Sequence, residues 1–182
     1  MGTSSAIGVK QADGGVMAVT CHWDGYHERV GRILHKFYGG EAKAMQLLSL
    51  GSLSSLGESV TPPPGVRHSL EHPTKGVTVA FHRDGGDDLH KPVQFKDAED
   101  YRMKAQSRFV ADYVYLLENG VWNVLVNQSW IPARVTYLPT PISPTPVECS
   151  LTEDSSRQEQ GKSPFWDVEL AFYLHNEKVI TR

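Results

Sequence analysis

The chain has 182 residues, enough for one sizeable domain or one domain with an appendage. Its 18 Lys and Arg against 21 Asp and Glu give a formal net charge of -3, which excludes an acidic nucleic-acid mimic and a strongly basic nucleic-acid coat. At 40% hydrophobic and 21% charged residues the chain has the composition of a folded domain, and no apolar run approaches the ~20 residues of a membrane span.

Residues 6–21 predict a hairpin. Ile7 and Val9, then Val16, Ala18 and Thr20, alternate along two short runs, and Ala12-Asp13-Gly14-Gly15 supplies the turn. After Cys21 the period changes. Val30, Ile33, Leu34 and Phe37 fall on one face of a helix, with Asp24 as its expected N-cap and Gly39-Gly40 as its end. A second helix is expected from about Glu41 to Leu50, with Ala44, Leu47 and Leu48 inward, followed by a Ser/Gly-rich turn through Leu53 and Leu56. Thr61-Pro62-Pro63-Pro64-Gly65 must be irregular, because three prolines in a row lack N–H donors.

Val77, Val79 and Phe81 alternate as a short strand that stops at Asp84-Gly85-Gly86-Asp87-Asp88. A modest helix is expected from Asp97 to about Gln106. Phe109 to Leu117 and Val121 to Val126 then make the clearest hairpin, turning at Asn119-Gly120. Four prolines, Pro139, Pro141, Pro144 and Pro146, space out an extended segment, and residues 150–163 are polar without periodicity. Trp166, Val168, Leu170, Phe172 and Leu174 occupy every second position, the pattern of a strand with one buried face, and a turn at 175–178 leads to Val179-Ile180.

The element order is β-β-α-α-β-α-β-β plus a C-terminal hairpin extension. It predicts an α+β fold with an antiparallel or mixed sheet and helices on one face. The expected division is an α+β domain over 1–130, a proline-rich and polar extended segment over 131–163, and a terminal strand or hairpin over 164–182.

The stretch Cys21-His22-Trp23-Asp24-Gly25-Tyr26-His27 carries the most chemistry. A strand there hands over to a helix, whose free N–H groups and dipole attract anions. Arg29 and Arg32 lie about a turn further in and can reach a phosphate, while Trp23 and Tyr26 can stack on a base. The competing structural reading makes Asp24 a cap, Trp23 a core plug and Tyr26 its cover. His82 and Arg83 join the candidate ligand surface. Arg83 can grip a phosphate or carboxylate with two nitrogens, or simply pair with Asp84 at a strand end.

A metal site is a weaker alternative. His22, Asp24, His82 and Asp84 could together hold a divalent ion for in-line attack on phosphate, as in a small phosphodiesterase or nuclease, but their spacing fits no recognised ligand motif. Cys21 beside His22 offers the ingredients of a nucleophile and base. Adjacent residues on a strand point apart, and no G-x-S-x-G elbow, Walker A or dinucleotide-binding pattern is present. No complete catalytic motif and no cofactor signature emerges. Two cysteines make no disulfide framework, and no basic segment followed by an apolar stretch opens the chain, so the expected location is a reducing cytoplasm.

Several segments in combination resemble a family of small phage and prophage proteins. They are Ser5-Ala6-Ile7-Gly8-Val9-Lys10-Gln11 with Asp13-Gly14, Cys21-His22-Trp23-Asp24-Gly25-Tyr26, and Val30-Gly31 with Ile33-Leu34. Leu48-Ser49-Leu50-Gly51-Ser52-Leu53-Ser54-Ser55-Leu56-Gly57, Gly76-Val77-Thr78-Val79-Ala80-Phe81-His82-Arg83-Asp84 and the hairpin after Phe109 complete the set. The resemblance covers about residues 4–126. Family members usually carry proline where this chain has His27, and the tail from Trp130 has no counterpart. The resemblance implies a phage origin, not a reaction; with that origin, the cytoplasm expected above is the host cell's.

The expected function is therefore an accessory binding protein that interferes with a host process, such as a defence system. Its partner would be a host defence protein, as for an anti-CRISPR protein, or a small signalling nucleotide, as for a sponge. No membrane partner is expected, and the C-terminal strand could assemble a homo-oligomer or a structural phage protein.

Overall fold

A computed structural model describes residues 2–133. β1 (Ser5–Lys10) and β2 (Val16–Cys21) form the expected hairpin, with Ser5 opposite Cys21 and Lys10 opposite Val16. β6 (Tyr113–Glu118) lies parallel to β1, with Ser5 opposite Tyr113 and Val9 opposite Leu117. It turns through Asn119 and Gly120, at φ 50° and 75°, into β7 (Val121–Val126). Positive φ at both central residues gives the turn the twist that two-residue hairpins need. A similar turn at Asn127 and Gln128, φ 47° and 67°, leads to β8 (Ser129–Pro132).

Beyond β2, the short β3 (Leu53–Ser55) runs parallel to it and β4 (Val79–Ala80) runs antiparallel to β3. β5 (Val93–Phe95) pairs with the first half of β2. The eight strands make one mixed sheet in the order β4-β3-β2-β1-β6-β7-β8, with β5 beside β2.

This is the α+β fold with a mixed sheet that the element order predicts, but its helices cover both faces, not one. On one face α3 (Ala98–Phe109) packs Tyr101 and Ala105 against Ala6, Val16, Ala18, Val114 and Leu116. It comes so close that a Cβ on Gly8 would sit 2.8 Å from the Tyr101 ring, so glycine is what lets helix and strand touch. The Tyr101 hydroxyl donates to the Tyr115 carbonyl at 3.1 Å. On the other face lie Ile7, Val9, Val19, Tyr115, Leu117 and Trp122, all buried. There the Trp122 indole N–H donates at 2.9 Å to the carbonyl of Tyr38, at the end of α1 (Arg32–Phe37). α2 (Glu41–Ser49) buries Ala44, Leu47 and Leu48 as expected. Each large apolar side chain so buried contributes roughly 1.5–3 kcal/mol. β1 is buried on both faces, yet only Ile7 and Val9 look apolar in sequence. The small Ala6 and Gly8 conceal the second face.

Other boundaries differ for local reasons. β3 replaces the expected turn at 53–56. Only Val79–Ala80 of the expected 77–81 strand pairs in the sheet, Val77 making an isolated bridge to Ser59. α3 starts where the Asp97 carboxylate caps the Asp100 N–H at 2.8 Å, and it runs to Phe109, which was expected to open the hairpin. β8 spans the expected domain boundary near 130. The remainder of the extended segment and the C-terminal hairpin lie outside the described residues. No helix among the described residues is long and apolar enough to cross a membrane.

Candidate functional site

The junction after β2 is built by continuing its ladder. The N–H groups of His22 and Trp23 donate to the carbonyls of Leu53 and Ser54, each at 2.9 Å. Asp24 then turns the chain at φ 57°, a left-handed conformation that Asp tolerates better than most residues. The Gly25 N–H donates to the Thr3 carbonyl at 2.8 Å. A Cβ on Gly25 would fall 2.5 Å from the Ser4 carbonyl carbon, so only glycine passes there.

Asp24 is not the helix cap. That position belongs to Tyr26, which caps without a side-chain bond and opens a π-helical turn, His27–Gly31, continuous with α1. The Arg29 and Val30 N–H groups close on the Tyr26 carbonyl, and Glu28 occupies the first turn. The helix N-terminus is therefore a poor anion cradle, and any positive charge offered here comes from side chains.

Those side chains are available. Trp23 is not a core plug: it is 48% exposed, its ring lying on Gly2 and edge-on to His22 at 5.1 Å. The His22 ring in turn stands edge-on to Phe81 at 6.2 Å. This row carries the junction toward a second π-helical turn, Phe81–Gly85, which holds His82. Tyr26 is 37% exposed. Arg29 and Arg32 are exposed, and so is Lys36, one helical turn beyond Arg32, with its ammonium over the Phe37 ring at 5.2 Å. Among the described residues, no salt bridge includes Arg29, Arg32 or Lys36.

His27, by contrast, is buried and lies parallel to the Tyr115 ring at 6.2 Å. Burial pushes its pKa down to about 4, against a small opposing pull from Glu28. It is a neutral packing residue.

Arg83 is corrected from ligand clamp to structural bolt. Its Nε and Nη2 grip the two Asp84 oxygens at 2.7 Å each, while Nη1 and Nη2 also reach the carbonyls of Val60 and Thr78. Asp84 accepts from the Ala80 N–H at 2.8 Å and lies 3.3 Å from His68 Nε2, both side chains nearly fully buried. Thr74 N–H donates to His68 Nδ1, so Nε2 is the nitrogen that carries the proton facing Asp84. Burial alone would raise the Asp84 carboxyl. Bonds from Arg83 and Ala80, with the Arg83 charge, outweigh it and hold the group below its usual range. The cluster pins the proline-rich excursion, which includes His68 and Thr74, to the turn after β4.

The metal alternative fails on geometry. His22, Asp24, His82 and Asp84 do not converge, and among the described residues no three His, Cys, Asp or Glu side chains are placed to share an ion. Asp84 is consumed as above, and His82 Nδ1 donates to the Asp87 carbonyl at 2.6 Å. The hydrolase reading fails as well. Cys21 is fully buried opposite Ser5, and desolvation pushes its thiol up to about 12, which leaves no thiolate nucleophile.

The sequence reading missed three contributors. Phe81 and His68 join their partners only through the fold. Lys36 had a visible signal, its spacing of one turn from Arg32. The chain thus presents an α+β sheet protein with an exposed aromatic and cationic surface at the end of β2. It matches no protein-family model, no curated protein and no solved structure.

Proposed function

We propose that this chain is a phage-encoded accessory protein that binds a nucleotide-like ligand and so withholds a signalling molecule from a host process such as defence. The observation that carries this reading is the pairing of exposed Trp23 and Tyr26 with the exposed guanidinium groups of Arg29 and Arg32, neither held in a salt bridge among the described residues. Aromatic faces stack on bases, and Arg pairs with phosphate through two parallel hydrogen bonds. Asp24, exposed beside them, can accept from an exocyclic amine or a ribose hydroxyl. The resemblance to small phage and prophage proteins supports the phage origin and the accessory role.

Binding without turnover is the expected behaviour, because the residues that could have supplied a nucleophile or a metal are buried, bonded or apart. Titration calorimetry with a panel of nucleoside monophosphates and cyclic dinucleotides tests it. The reading predicts saturation at one equivalent per site and recovery of the nucleotide intact. Product accumulation beyond one equivalent makes the protein an enzyme. No nucleotide binding, with a host protein captured by the wild type and not by Trp23→Ala, replaces the nucleotide with a defence protein.

A further inference from the structure

We infer that the ligand of this surface carries two separated phosphates and two bases, as in a cyclic dinucleotide, an inference that rests on the nucleotide reading above. Arg29, Arg32 and Lys36 are spaced at about one turn each along the continuous segment from His27 to Phe37. Seven residues of helix carry the charges over about 10 Å. Two phosphates match that spread better than one, because each cation can then engage a phosphate without bending along the helix. Lys36, held over the Phe37 ring, is the outlying cation that a mononucleotide leaves unused.

Two exposed aromatic rings, Trp23 and Tyr26, precede these cations, one for each of two bases. Among the described residues neither Asp24 nor Glu28 forms a salt bridge with the stripe. A long nucleic-acid chain is disfavoured. Three cations on a protein of net charge -3 neutralise few phosphates, and affinity for a polyanion grows with the number neutralised.

Calorimetry of the full chain with cyclic di-AMP, adenosine monophosphate and an oligothymidylate of about ten nucleotides separates the possibilities. Lys36→Ala and Trp23→Ala are compared with wild type, their folding checked by circular dichroism. The expected result is cyclic di-AMP binding about tenfold or more tighter than adenosine monophosphate, with Lys36→Ala weakening the dinucleotide about tenfold and the monophosphate hardly at all. Equal affinity for both, with Lys36→Ala silent and Trp23→Ala damaging, overturns the two-phosphate inference and leaves the nucleotide reading standing. Tightest binding of the oligothymidylate, falling steeply with salt, overturns it in favour of single-stranded nucleic acid. No binding of any of the three overturns both.

Discussion

The buried His27 makes acid sensitivity a quantitative consequence of the fold. In the unfolded chain its imidazole takes a proton near pH 6.5. In the native protein burial delays that to about pH 4. Between these values the unfolded state binds more protons, so native stability falls as pH falls. The gap corresponds to about 3 kcal/mol when fully developed, and to about 2 kcal/mol at pH 5. Against the roughly 5–15 kcal/mol of a typical domain that loss is large. His27→Phe keeps a ring against Tyr115 and removes the titration. Urea unfolding of both proteins, followed by tryptophan fluorescence at pH 7 and pH 5, isolates the effect, because other titrating groups cancel in the difference. The wild type should lose about 2 kcal/mol more than the variant over that interval. An unchanged difference between the two proteins would refute the assignment of His27 as a buried neutral imidazole.

Three further outcomes follow from the same geometry. Val110 ends α3 at φ 50° with 84% of its surface exposed, a strained conformation for a β-branched residue that buries little. Val110→Gly should therefore raise stability by about 0.5–1 kcal/mol, read as a higher Tm. Asp84→Asn should cost about 2–3 kcal/mol in urea unfolding, since it strips the Arg83 guanidinium of its buried partner, whereas Arg29→Ala should change stability by less than about 0.5 kcal/mol. In a Cys149→Ser background, Cys21 should resist a thiol reagent in the native state and react fully only on denaturation. Rapid native reaction would contradict its burial.

The parts of the fold legible in sequence are those specified locally. Asn119-Gly120 between alternating runs announces β6 and β7, and Val30, Ile33 and Leu34 announce the helix they bury. The parts that were not legible depend on distant partners. β3 and β5 are three residues each and exist because β2 is beside them. The second helical layer was hidden because Gly8 contacts Tyr101 through the absence of a side chain. The candidate site divides in the same way. Trp23, Tyr26, Arg29 and Arg32 follow one another along the chain and were visible as a group. The structural duty of Arg83 depends on Val60, Thr78 and an Asp84 that also meets His68, in a proline-rich stretch with no period to place it. Asp24 misled because an aspartate before a helix so often caps it, and here a left-handed corner and Gly25 intervene first.

Hydrogen exchange with and without cyclic di-AMP, read peptide by peptide on the full chain, tests the central claim most directly. The account predicts protection concentrated in peptides spanning 22–36 and the adjoining turn at 81–83, lost in the Trp23→Ala and Arg32→Ala variants. Protection confined to other parts of the chain, or tight binding that both variants retain, would contradict it.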